Sequence, residues 1–346
     1  MKTSDMTVSE RFQAVMDFKP FDRLPIMEWA CWWDKTLARW QTEGLPAHFS
    51  THWKDRYEIC KYFDLDLCYQ GWYRSVHWKC PKPDAEKAGH GAGIIADMDD
   101  YERVREHLFV IDDEWPINKA ELSAWAEDQK KGKAAIWFTL DGFFWLPRTL
   151  FGDEEHLYAF YDHPELMHRI NQDNADWMIR MIDEICKVAQ PDFMTFAEDM
   201  SYKAGPMLSK AHFEEFMKPY YEKVVPHLKE RGIRALVDSD GNIHEPAGWF
   251  AEAGIEGMLP MERQSGVDMA RLRQENPKQI YIGGFDKMTM PEGESAMRVE
   301  FEKLLPVAKQ GGYIISCDHQ TPPGVSLENY RLYLKLFREY AELAAR

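Results

Sequence analysis

Eight short apolar runs, each separated from the next by longer stretches of helical periodicity, set the tightest limit on what this chain can fold into. They are residues 24–29 (LPIMEW), 65–69 (LDLCY), 135–140 (AIWFTL), 193–198 (FMTFAE), 234–238 (RALVD), 255–261 (IEGMLPM), 279–284 (QIYIGG) and 312–316 (GYIIS). Runs that are apolar on consecutive positions, not alternate ones, suit strands covered on both faces, as a parallel sheet requires. Helix signals fall between them. Thr7 and Glu10 make a capping box ahead of Val8, Phe12 and Val15. Pro164 opens a stretch in which Leu166, Ile170, Trp177, Met181 and Ile185 recur on one face. Ser326 precedes a last stripe of Leu327, Tyr330, Leu334, Phe337 and Ala341. Strands alternating with helices imply βαβ units, and eight of them imply closure. The expected fold is therefore α/β, one (β/α)8 TIM barrel over residues 1–346 with an N-terminal helical extension.

The 346 residues carry a formal charge of −16, with the acids spread along the chain. That speaks against nucleic acid or an anionic membrane as a partner. Six cysteines, none in a CxxC pair, read as reduced thiols. The opening MKTSDMTVSERF has no apolar core of the signal-peptide kind, and no stretch approaches a membrane span. The expected location is the cytoplasm.

In such a barrel the chemistry sits where the strands end. Those positions here are Glu28, Asp141, Glu198 with Asp199, Asp238 with Asp240, Glu262, Asp286, and Asp318 with His319; only the second run ends without an acid. Clustered carboxylates bind a metal, share protons or pair with bases. Asp238 and Asp240 stand two apart, so both can face one side of a strand end, and Gly241-Asn242 gives the turn after them. Two readings of this group stay open. Asp238, Asp240 and His319 would serve as three ligands of a divalent metal, or the carboxylates would act without metal as proton donor and acceptor. The first third is dense in tryptophan (Trp29, Trp32, Trp33, Trp40, Trp53, Trp72, Trp78), and Trp29, Trp32 and Trp33 lie at and after the end of the first run, where a loop overhangs the mouth and suits a flat, apolar or aromatic ligand.

With DSDGNI and His319 in view, the chain resembles the uroporphyrinogen decarboxylase superfamily, which joins porphyrinogen decarboxylases to cobalamin-dependent methyltransferases. The likeness runs through FDRLPI, FTLDGFFWLPRTLFG, YDHPELMHRI, GPMLSKAHFEEFMKPYY, IGGFDK and PPGVSLENY. Zinc methyltransferases of that family carry His-x-Cys-Gly after the fifth strand, where this chain has Asp238-Ser239-Asp240-Gly241. Any metal here would then have oxygen and imidazole ligands, not the cysteine-ligated zinc. Porphyrinogen decarboxylases carry arginine after the first strand and aspartate after the second, where this chain reads EWACWWD and CYQGWYR, with Arg74 as a partial substitute.

The resemblance implies a cytoplasmic methyltransferase of the O-demethylase type. It would move a methyl group from a small, aromatic methyl ether to the cobalt of a corrinoid (cobalamin) carried by a partner protein. Asp238, Asp240, His319 and Glu198 would be catalytic. Glu28, Trp29, Trp32, Trp33, Asp141, Asn242, Glu262 and Asp286 would bind the donor. Two alternatives are a decarboxylase of a small carboxylic acid and a ligand-binding barrel without catalysis. The oligomeric state is left open, a homodimer included.

Overall fold

A computed structural model describes residues 5–49, 55–83, 91–112 and 115–345. Its strands are β1 Leu67–Tyr73, β2 Ala134–Asp141, β3 Phe193–Ala197, a small hairpin of β4 Ser201–Tyr202 and β5 Gly205–Pro206, then β6 Arg234–Asp238, β7 Gly257–Leu259, β8 Ile280–Phe285 and β9 Tyr313–Cys317. Seven of them form one parallel sheet in the order β1-β2-β3-β6-β7-β8-β9. Neighbours in that sheet are neighbours in the chain, as right-handed βαβ winding around a barrel demands. Each of the seven grows from a run expected to be a strand. Their interiors are buried throughout β2, β3, β7, β8 and β9, as expected for strands covered on both faces.

The eighth expected strand, 24–29, is corrected by the structure: no β-ladder forms there. The segment nevertheless lies between the two edge strands of the sheet. Near β1, the Ile26 carbonyl accepts from Asp66 N–H (2.8 Å) and Ile26 N–H donates to the Asp66 carboxylate (2.9 Å). On the β9 side, Trp29 N–H donates to Ser316 Oγ (3.3 Å) and its indole to the Cys317 carbonyl (2.6 Å). A side-chain-mediated stave thus completes the (β/α)8 ring where a ladder was expected.

The opening helix Val8–Met16 has its capping box in place and closes the N-terminal end of the barrel. Ser9 Oγ donates to the Ala134 carbonyl at the start of β2 (2.7 Å), Phe12 stacks on Phe193 at the start of β3, and Gly312 N–H donates to the Val15 carbonyl just before β9. With that end sealed, the open end is the one where the strands finish. Below the opening a polar layer crosses the interior: Gln70 donates to Thr139 (3.0 Å), whose hydroxyl bonds that of Thr195 (2.8 Å). Pairing within the layer satisfies groups that would otherwise be costly to bury.

Candidate active site

A cavity of about 940 Å³ opens at the C-terminal ends of the strands. Its acidic wall is made by Asp199, Asp238 and Asp240. Asp238 ends β6, and its carbonyl accepts the Glu198 N–H (2.8 Å). The turn after it is stitched to its neighbours on both sides. Ser239 N–H donates to the Leu259 carbonyl (3.0 Å), Asp240 N–H to Asp199 Oδ1 (3.2 Å) and Gly241 N–H to Glu262 Oε2 (3.0 Å). Gly241 has φ +86, and a Cβ there would press on the Ser201 backbone, so this position requires glycine. The spacing of two that suggested a shared orientation brings both Asp238 and Asp240 to the cavity.

Three carboxylates at close quarters cannot all ionise cheaply. Loss of water and the charges of Asp199 and Asp240 push Asp238 well above the ordinary carboxylate range. Burial and the Asp240 charge raise Asp199 as well. Across from them His319 Nε2 stands 3.5 Å from Asp240 Oδ2, with the Trp29 indole edge-on at 5.8 Å. Burial works against the imidazolium, but the contact with Asp240 outweighs it and the His319 pKa is raised. Next to His319 in the chain, fully buried Asp318 accepts from Lys287 Nζ (3.1 Å) and from the Arg263 N–H (3.0 Å), tying together the loops after β7, β8 and β9.

Aromatic rings make much of the rest of the wall. Trp29, Trp32 and Trp33 line it as the sequence suggested, Trp33 half exposed at the rim, and Trp72, Trp125 and Trp145 join them. Trp32 also packs into the core against Trp40, Phe63 and Tyr330, so its ring is fixed. Trp53 lies outside the described residues.

The remaining expected site residues do not line this cavity. Glu198 is buried beneath it, where both its oxygens are engaged. Oε1 accepts from Phe143 N–H (2.9 Å) and Tyr221 hydroxyl, and Oε2 from Phe144 N–H (2.7 Å) and Trp145 N–H (3.3 Å). Burial lifts its pKa to about 7 against those four donors. Glu28 turns away toward β9, accepting from Ser316 Oγ (2.8 Å) and Cys317 N–H (3.1 Å). Asp141 is consumed by Arg74 and Ser75. Glu262 steadies the β6 turn and Ser265, Asp286 caps its own loop at Met288, and Asn242 accepts from His244 N–H in a separate surface hollow.

Gly142 packs so closely on Glu198 that a Cβ would collide with the carboxylate. Since four donors hold that carboxylate in place, Gly142→Ala is expected to lower stability by about 1–3 kcal/mol, read from the urea midpoint.

Sequence reasoning placed Asp199 at a strand end without giving it a role, and did not single out Trp145 or Arg148. Asp199 directly follows Glu198 at a strand end, with a left-handed φ of 43 that the short polar side chain tolerates. Arg148 stacks over Trp145 (4.6 Å) and donates to the Asp199 carbonyl (3.0 Å), bracing this wall from outside. Both residues lie in the FWLPR stretch, whose helical pattern hides which side faces the mouth.

Among the described residues, no group of three or more His, Cys, Asp or Glu side chains is arranged to hold a metal ion. Asp240 is already paired with His319, so Asp238, Asp240 and His319 do not fit a preformed three-ligand site. Among those residues, too, no helix is long and apolar enough to cross a membrane.

A parallel barrel with an acid-and-tryptophan cavity at the ends of its strands belongs to the large class of (β/α)8 folds that carry their sites at that face. The family model for uroporphyrinogen decarboxylase matches residues 147–340, more than half of the chain, and the protein belongs to that family. A methyltransferase from Methanosarcina mazei shares the fold with a TM-score of 0.63 at 15% identity, covering 96% of this chain and 98% of the other. A Listeria monocytogenes protein assigned as a vitamin-B12-independent methionine synthase aligns with a TM-score of 0.44 at 11% identity, covering 94% and 97%. No curated protein matches the sequence.

Proposed function

We propose that this chain transfers a methyl group from a small aromatic methyl ether to the cobalt(I) of a corrinoid carried by a partner protein. The observation that carries the reading is the place of Asp238, at one end of a tryptophan-walled cavity and beside two further carboxylates, where burial and their charges favour its protonated form. As the O–CH3 bond breaks, the methyl group passes to the acceptor and the bonding pair stays on oxygen. Asp238 gives that oxygen its proton, so that the product leaves as a phenol. An ether oxygen leaves poorly without such help, and a positioned acid supplies it. His319, whose charged form is favoured by Asp240, faces the same space and offsets the charge left on Asp238 once its proton has gone. The indoles hold the ring and exclude water around the reacting atoms. The structural likeness to a methyltransferase is in keeping with this reading, and membership of the decarboxylase family supplies the competitor.

The direct test incubates the protein with reduced free cobalamin and a panel of methoxyarenes, following the absorbance change on methylation. Methylation dependent on both protein and ether is expected. CO2 released from an arene carboxylic acid, with no methylation, would replace this reading with the decarboxylase one.

Asp240 has a separate role, sustaining the charge on His319. Asp240→Asn is expected to lower the His319 pKa, because burial then acts on the imidazole without its counter-ion. It also lowers the Asp238 pKa by removing one repelling charge. Both acids then lose their protons sooner as pH rises, so the alkaline limb of the rate profile moves to lower pH. NMR titration of the imidazole, beside the pH profile of transfer, measures the two effects.

A further inference from the structure

We propose that Arg74 is an anion-binding subsite, and that the preferred donor is a small aromatic monoanion: a ring carrying the ether at one end and a single carboxylate at the other. The ether half rests on the methyl-transfer reading; the anion half stands on the geometry of Arg74.

Arg74 follows β1, whereas Asp238 ends β6 and Asp240 follows it, with β2 and β3 between those strands in the sheet. In a ring of eight staves that separation sets Arg74 apart from the acids around the mouth, and all three line the same cavity, so one ligand there can meet both. The guanidinium is fixed before any ligand arrives. Nη1 donates to Asp141 Oδ1 (2.7 Å), and the plane lies over Trp72 (4.6 Å) and Trp145 (5.7 Å). Asp141 is itself pinned by the Ser75 N–H and hydroxyl, both at 3.0 Å. Among the described residues, the bond to Asp141 is the one hydrogen bond Arg74 makes, so the rest of its fork remains for a ligand. The other arginine at the cavity, Arg56, is spent on Gln70 and on the carbonyls of Glu28 and Trp29. Among the described residues, no lysine lines this space.

Charge limits the ligand to one anionic group. Asp141 offsets the Arg74 cation, and Asp34, Glu121, Asp199 and Asp240 surround the cavity, so a second carboxylate would meet repulsion, with His319 already paired to Asp240. The flanking indoles favour a flat ring beside the carboxylate.

The test is calorimetric titration of the full chain at pH 7 with 4-methoxybenzoate and its neutral isostere 4-methoxybenzamide. The acid is expected to bind roughly ten- to a hundred-fold tighter, the range of a charged hydrogen bond. Arg74→Met should erase that preference by weakening the acid alone, with amide binding as the check that the cavity is intact. Arg74→Lys should keep part of it, charge without the fork. Equal binding of acid and amide by the unaltered protein, no binding of either, or a preference that survives Arg74→Met would each overturn the subsite. Methyl transfer is scored separately. Preferential binding of the acid with no methyl moved to cobalamin would retire the methyl-transfer reading and leave the subsite standing. Transfer from neutral ethers as fast as from the acid, with no preference in binding, would do the reverse.

Discussion

Asp238→Asn is expected to lower the rate of methyl transfer by roughly 10²- to 10⁴-fold, the usual worth of a positioned general acid, while the chain stays folded. The amide keeps the size of the carboxyl and cannot ionise, so it also removes the repulsion among Asp199, Asp238 and Asp240. Stability should therefore hold or rise above neutral pH while activity falls, a split that loss of structure would not produce. In the unaltered protein the rate should decline as pH rises through the elevated Asp238 pKa, since the protonated form is the working one. Single-turnover transfer to reduced cobalamin, measured across pH for both proteins, reads the two outcomes together. A variant that keeps its turnover would remove Asp238 from the chemistry and shift the proton donor to His319.

Much of the barrel was legible because a strand covered on both faces must be apolar at consecutive positions, and seven of the eight runs that meet this demand are strands of one sheet. Residues 24–29 obey it too and still form no ladder. Asp66, Ser316 and Glu28 bind that backbone or its neighbours through side chains, and apolar content does not show which backbone groups pair. The strand end before Arg74 was read short. β1 continues through Gln70 and Gly71 to Tyr73, and only that length puts Arg74 at the mouth. A polar residue and a glycine argue against a buried strand, but Gln70 is retained because Arg56 and Thr139 satisfy it inside the barrel.

The acids illustrate a different limit. Their position at strand ends followed from the fold, but the sequence does not say which way each carboxylate turns. Asp238 and Asp240 turn to the cavity because the stitched turn leaves them nowhere else. Glu198 and Glu28 have longer side chains and reach sideways to N–H groups of the next stave. An acid at a strand end is thus a candidate for chemistry or for bracing, and the partners that decide between them come from distant segments.

Those two bracing glutamates should respond oppositely to amidation. Burial lifts both to about 7. An unfolded glutamate ionises near 4.3, so between there and 7 the folded chain holds protons that the unfolded chain has lost. Stability therefore falls as pH rises through that window, by roughly 3 kcal/mol for each group, and levels off above it. Glu28 has one buried oxygen without a partner and the Tyr333 hydroxyl beside it, so an amide fits there. Glu28→Gln should be close to neutral at pH 5 and stabilising by roughly 3 kcal/mol at pH 8, having removed the ionisation cost. Glu198 accepts on both oxygens, so the amide nitrogen of Glu198→Gln must face backbone N–H donors whichever way it turns. One or two buried donors then lose their acceptor, at about 1–3 kcal/mol each, and the variant should be destabilised at both pH values. Urea midpoints of the three proteins at pH 5 and pH 8 measure this. Loss of stability in Glu28→Gln at pH 8 would mean that its carboxylate is ionised and needed, as a bound partner for the Ser316 hydroxyl and the Cys317 N–H.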